Sequence, residues 1–196
     1  DGKGYKSIAA IMVHTAPEGG KKSISMVDGM QLGYGQGFYT DGKSDLSLLM
    51  GLPYAALDGI NEDGFAIGVL ALKENQTKQN DENKPRIGTT TAIRMLLDRA
   101  STVKEALAML AGYNMDMQGS GRSNYHYFMA DATGDYAIVE YTLAKGDTIP
   151  TVMETFTGND TLRCVTNFYV SPTMMGTNDG WGSLHGKKRY WTLRDS

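Results

Sequence analysis

The apolar positions of this chain change period along its length. Residues 8–15 (Ile-Ala-Ala-Ile-Met-Val-His-Thr) form an almost continuous apolar run, and residues 23–27 (Ser-Ile-Ser-Met-Val) alternate at period two. These patterns predict a buried strand and a half-buried one, joined as a hairpin through the turn Pro17-Glu-Gly-Gly20. Residues 29–51, rich in Gly, Tyr and Ser, keep no period and read as loop with short strand pieces. A second hairpin is predicted where Asn61-Glu-Asp-Gly64 precedes the apolar run 65–72, with Gly64 supplying a positive φ. Residues 74–86 are almost wholly polar and read as a surface loop.

The period then becomes helical. Ile93, Leu96, Leu97 and Ala100 fall at i, i+3, i+4 and i+7, and so do Val103, Ala106, Leu107 and Leu110. Between the two sets, Thr102-Val-Lys-Glu105 is a capping box, so the pattern predicts two consecutive helices, the second closed by Gly112. Residues 126–130 and 136–141 return to strand, joined by the turn Asp131-Ala-Thr-Gly134. Residues 162–166 read as a further short strand, and the tail from Ser171 is Gly-rich, then basic and aromatic, with a helix beginning near Lys187. Strands, helices and strands in separate runs predict an α+β layer arrangement rather than alternating βαβ units.

Composition narrows the function classes. At 196 residues, with 41% hydrophobic and 21% charged, the chain reads as a single domain, 1–196, able to bury an ordinary core. Nineteen Lys and Arg against 22 Asp and Glu leave a formal charge of −3, so no electrostatic case exists for a nucleic-acid or anionic-membrane partner. The apolar runs are strand-sized, well short of the ~20 residues of a membrane span. A single cysteine, Cys164, rules out an intrachain disulfide framework and Cys-rich metal sites. His14, His126 and His185 sit far apart in sequence and form no HExxH-type pair.

Few residues stand out chemically. Gly33-Tyr-Gly-Gln-Gly37 lacks the spacing of a phosphate-binding loop. Cys164 reads as a thiol nucleophile or, between Leu162 and Val165, as an inward strand residue. His126 opens a strand and reads as a packed or hydrogen-bonding residue; His14 and His185 show no partner in the sequence. Asn167, just after a strand, has two readings: an amide donating to a developing oxyanion, or a cap for the turn. Arg189, beside Lys187, Lys188 and Tyr190, reads by default as a solvated cation. Composition and periodicity alone stop at a soluble α+β domain.

The ordered set of segments carries more. Asp58-Gly-Ile-Asn-Glu-Asp-Gly-Phe-Ala-Ile-Gly-Val-Leu70 resembles the D-G-M-N-E-K-G-L hairpin of the choloylglycine hydrolase and linear-amide hydrolase (penicillin acylase-like) family. Residues 90–110 resemble its helix pair, Thr102-Val-Lys-Glu-Ala106 standing at the T-V-x-E-A start. Residues 125–140 are similar to its H-x-x-x-x-D-x-x-G hairpin ending in Glu, Val165-Thr-Asn167 to its V-L-T-N element, and Lys188-Arg-Tyr190 to its R-Y element.

The resemblance implies a four-layer αββα sandwich of the N-terminal-nucleophile hydrolases, incomplete here at both ends. It implies an amide hydrolase whose nucleophile is the first residue of the mature protein, a cysteine with its own α-amino group as base. That residue is expected upstream of this chain, which as given would be inactive. The implied substrate is a small N-acyl amide of the bile-salt, penicillin V or N-acyl amino acid type. The resemblance also places Asn167 on the family's active-site Asn, Arg189 on its Arg and Asp1 on its Asp; a further Asn or Tyr position falls on Ala71. Asn167 would serve the oxyanion hole, Arg189 would orient the nucleophile's surroundings and Asp1 would hold the α-amino group. The competing expectation is a small-molecule binder on the same scaffold that has lost its nucleophile. A homo-oligomer is compatible with the resemblance, and a cytoplasmic or an exported bacterial protein are both open.

Overall fold

The computed structural model of the chain describes residues 9–14, 18–28, 46–72, 76–118, 124–157, 164–174 and 185–195. In chain order the elements are β1 (Ala9–His14), β2 (Ser23–Asp28), a 3-10 segment (Leu46–Tyr54), β3 (Ala56–Asn61), β4 (Ala66–Leu72), β5 (Arg86–Gly88) and α1 (Thr89–Arg99). There follow α2 (Val103–Ala111), β6 (Asn114–Asp116), β7 (Asn124–Ala130), β8 (Tyr136–Thr142), β9 (Val152–Phe156) and α3 (His185–Arg194). Seven strands form one antiparallel sheet in the order β1-β2-β3-β4-β7-β8-β9. The two central helices are thus an insertion between neighbouring strands β4 and β7, flanked by the short parallel pair β5–β6.

Alternation within the strands divides the sheet into two faces. On the inner face Val27, Ile67, Tyr127, Met129, Ala137, Val139 and Tyr141 join Ala92, Ile93, Leu96 and Leu97 of α1, and Val103, Ala106 and Leu110 of α2, in one buried cluster. The helices form because their apolar stripes match this face, and the capping box is present as spaced. Glu105 N–H donates to Thr102 Oγ1 at 3.2 Å, and Thr102 N–H to Glu105 Oε2 at 3.2 Å.

The second and third of the predicted hairpin turns also tie the helices down. Asn61 Nδ2 donates to the carbonyls of Leu97 (3.0 Å) and Ala100 (2.7 Å) at the end of α1, while its Oδ1 accepts Asp63 and Phe65 N–H within its own turn. Asp131 Oδ2 accepts Val103 N–H at the start of α2 (2.9 Å), and its Oδ1 accepts from Thr133. Burial pulls the Asp131 pKa up, but the hydrogen bonds from Thr133 and Val103 outweigh it and hold the carboxyl below its ordinary value. Gly64 (φ 83°) and Gly134 (φ 91°) make these turns in the left-handed conformation that other residues resist.

Several expectations change. Residues 164–166, the described part of the predicted strand 162–166, are not strand: they begin a segment that lies on the sheet without pairing to it. Strand β9 has no clean alternation, since Glu154 faces the same side as its apolar neighbours Val152 and Phe156, and it escapes a period-two search. The three-residue β5 and β6 are too short to show a period. Residues 46–54 form 3-10 helix across the end of the predicted loop 29–51, and Thr77, in the predicted loop 74–86, is fully buried. Gly33–Gly37 lies outside the described residues, as does Asp1.

The outer face is mixed. At its β1–β4 end Ile11 and Val13 are 77% and 72% exposed, and Ile24, Met26 and Ile60 are also exposed. Ile11, Ile24, Met26, Ile60, Gly68 and Phe128 line an open groove of about 520 Å³. At the β7–β9 end the same face carries Asn124, His126, Glu140, Thr142 and Glu154, covered by residues 164–174.

Candidate active site

Two of the three residues that the sequence singled out are neighbours in space. Asn167 lies in the non-strand segment 164–174, and Arg189 on α3, which begins just past a Gly-rich stretch. Arg189 Nη2 donates to Asn167 Oδ1 at 2.6 Å, and Asn167 Nδ2 donates to the backbone carbonyl of Ala71 at 2.8 Å. Ala71 is the position where the resemblance places a side-chain donor; here the residue contributes its carbonyl instead. The third predicted residue, Asp1, lies outside the described residues.

The orientation of the Asn167 amide is settled by these partners. A guanidinium can only donate and a backbone carbonyl can only accept, so the oxygen must face Arg189 and the nitrogen Ala71. One amide hydrogen is then committed to Ala71, and the second leaves the same nitrogen at about 120°. The group is a donor of fixed direction, as oxyanion stabilisation requires. The turn-cap reading of Asn167 is not what its side chain does: its bonds run to β4 and α3. Arg189, though exposed, is engaged with Asn167 rather than simply solvated.

The pairing depends on close docking of α3. Thr166 Oγ1 donates to the Gly186 carbonyl at 2.7 Å, and the Phe168 and Tyr190 rings meet edge-on at 5.4 Å between centroids. A Cβ at 186 would stand 2.7 Å from the Asn167 carbonyl oxygen, so only glycine allows α3 to begin there.

Below this segment sits a polar cluster that sequence reasoning had set aside. His126 and Glu140 are both fully buried, with Nδ1 and Oε1 2.9 Å apart. Glu140 also accepts the N–H groups of Val170 and Ser171, each at 2.9 Å. Glu154 accepts from the Ser171 hydroxyl and, at 3.3 Å, from Thr173 Oγ1. Asn124 donates to the Tyr169 hydroxyl at 2.7 Å and accepts from Thr77. The signal was available: the β7–β8 register pairs Tyr127 with Val139 and Phe128 with Ile138, and one step further sets His126 against Glu140.

Burial pushes the Cys164 thiol up, against the thiolate a nucleophile needs, with the nearby Arg194 charge opposing only in part. His14 Nε2 lies 3.2 Å from Ser25 Oγ. His185 begins α3. Among the described residues no group of three His, Cys, Asp or Glu is placed to hold a metal ion, and no helix is long and apolar enough to cross a membrane.

Comparison with known proteins agrees with the motif order. The chain is 32% identical over 96 residues to penicillin V acylase of Pectobacterium atrosepticum, a match over 45% of this chain and 26% of that protein. It superposes on a mutant of the conjugated bile acid hydrolase of Clostridium perfringens with a TM-score of 0.50 at 18% identity, covering 78% of this chain and 39% of that one. The chain thus spans well under half the length of these relatives. The structural likeness establishes an α+β sandwich of the N-terminal-nucleophile hydrolase kind, of which the described residues form one sheet and the helical layer on it. A family model described as acyl-coenzyme A:6-aminopenicillanic acid acyl-transferase matches residues 48–183, well over half of the chain and including Ala71 and Asn167. The chain belongs to that family.

Proposed function

We propose that this chain is the Asn- and Arg-bearing portion of an amide hydrolase that acts on a small linear or N-acyl amide through a cysteine nucleophile lying upstream of Asp1. The observation that carries the reading is the Asn167 amide, fixed by Arg189 and Ala71 so that one N–H remains to meet an oxyanion. The reaction it would serve runs in two steps. The cysteine thiol, deprotonated by its α-amino group, attacks the amide carbonyl; the C–N bond breaks and the amine leaves with the proton. Water then cleaves the thioester, releasing the acid and restoring the thiol. Asn167 donates to the tetrahedral oxyanion in both steps. Arg189 holds the amide's orientation, and Asp1 would bind the α-amino group. No metal or organic cofactor is required for these steps. The family name and the relatives, an acyl-transferase, a penicillin V acylase and a bile acid hydrolase, all handle acyl groups, which supports the class.

The test uses the full-length protein that contains this chain. It is offered phenoxyacetyl, bile-acyl and fatty-acyl amides while amine release and acyl-cysteine mass are followed. The expected result is turnover of at least one, with an acyl adduct on an N-terminal cysteine and a loss of about 10²–10³ in kcat for Asn167→Ala. Saturable binding with neither adduct nor turnover would replace this reading with a non-catalytic binder.

A further inference from the structure

Residues 164–174 lie on the outer face of the sheet and belong to no strand, so their backbone donors have no ladder to join. Two of those donors converge on a single carboxylate. Glu140 Oε1 takes Val170 N–H and Oε2 takes Ser171 N–H, both at 2.9 Å. Glu140 projects from β8, and from the adjacent strand β7 His126 Nδ1 reaches its Oε1 at 2.9 Å. Both side chains are fully buried.

A buried carboxylate is a costly way to hold a loop that packing could also hold. What it adds is register. Two successive amides on the two oxygens of one rigid group fix both the position and the rotation of the backbone, three and four residues past Asn167. An amide that must meet Ala71 on one side and Arg189 on the other tolerates little drift, since displacements near 1 Å can cost about 10²-fold in rate.

We propose that Glu140, oriented by His126, is the positioning residue for Asn167. It touches no substrate; it seats the Val170–Ser171 amides so that the Asn167 amide faces Ala71 and Arg189 with its second N–H in a fixed direction. This rests on the reading of Asn167 as an oxyanion donor.

The experiment compares the full-length protein with Glu140→Gln, which keeps the volume but turns an NH₂ towards one of the two donors. Three quantities are read: amide exchange at Val170 and Ser171, the side-chain NH₂ resonances of Asn167, and the kinetic constants. The proposal expects exchange at one or both amides to rise about 10–100-fold, the worth of one hydrogen bond to a charged group, while Leu96 and Leu97 in α1 exchange as before. The Asn167 resonances shift, and kcat falls about 10–100-fold with KM little changed. Unmoved Asn167 resonances, or exchange that rises equally in α1, would overturn it. A wild-type protein without turnover fails the amidase reading alone, and the proposal is then decided by exchange and resonances. Should Glu140→Gln not fold, His126→Asn keeps a donor near the Nδ1 position and His126→Leu does not. The Asn167 shift is expected in the second and absent in the first, and equal behaviour in both would count against the role.

Discussion

On the inner face of the sheet, Tyr127, Met129, Val139 and Tyr141 meet Leu96, Leu97 and Leu110; one residue along the same strands, on the outer face, stand His126 and Glu140. Both sets are buried, but by different rules. The inner set is specified mainly by volume, with one polar tie from the Tyr127 hydroxyl to the Thr89 carbonyl at 3.2 Å. The outer set is specified by partners: Glu140 is tolerable there only because two backbone N–H groups and His126 Nδ1 meet it. The strands spend one face on stability and part of the other on holding the single irregular segment that carries Asn167. In this fold the candidate site is placed by polar contacts, together with a small apolar cluster of Leu72, Tyr169 and Met174, on the back of a hydrophobic scaffold.

Removing the partner-specified group should have the largest effect. Glu140→Ala strands two backbone donors and His126 Nδ1, and is expected to lower the unfolding free energy by about 3–5 kcal/mol in urea titrations. A loss under ~1 kcal/mol would mean that the outer face is held by packing after all. Leu96→Ala, on the volume-specified side, should cost about 2–5 kcal/mol, depending on how far the site collapses. The two sites share no partner, so the double variant should lose the sum to within about 0.5 kcal/mol. A larger coupling would show that the faces are not independent.

The bare end of the outer face gives a third handle. In the full-length protein Ile11→Ser should lose about 1.5–3 kcal/mol if a second sheet covers the 77% of Ile11 that is exposed in this chain. A change within ~0.5 kcal/mol would mean that solvent, not a layer, meets it.

The smallest effect separates the faces by pH. Burial pushes the Tyr127 and Tyr141 hydroxyls well above the ordinary tyrosine value. A raised folded-state pKa favours the neutral form in the fold. The contribution is therefore complete below about pH 10, where unfolded tyrosine begins to ionise, and is lost as pH rises from there towards the folded values. Tyr141 has no hydrogen-bond partner for its hydroxyl among the described residues. Tyr141→Phe should accordingly be neutral or stabilising by up to ~1 kcal/mol at pH 7, and should flatten the alkaline loss. Thermal melts between pH 8 and 11 would show it; a destabilised variant at pH 7 would point to a partner for that hydroxyl.

Legibility followed locality. The helices, their capping box and both Gly-closed hairpins were readable because each is fixed by residues within a few positions of one another. The turn residues Asn61 and Asp131 were recognised as turn formers, but their second task, tying the ends of α1 and α2, needs contacts 28 to 39 residues away that no window contains. Asn167 and Arg189 were found through motif order, whereas their direct bond and the Ala71 carbonyl come only from the folded chain. Residues 162–166 looked like strand because Leu162, Val165 and their neighbours suit one. Apolar content alone cannot distinguish a segment lying on a sheet from one lying in it.

Ala71 has a consequence for heredity. Asn167 is held there by a main-chain oxygen, which every amino acid possesses, so codon changes at position 71 leave that half of the grip intact. Successive carbonyls along a strand point in opposite directions. A one-residue insertion or deletion in β4 would therefore turn that oxygen away. A frame-preserving indel between Ala66 and Ala71 is thus expected to break a contact that a side-chain change at position 71 leaves in place.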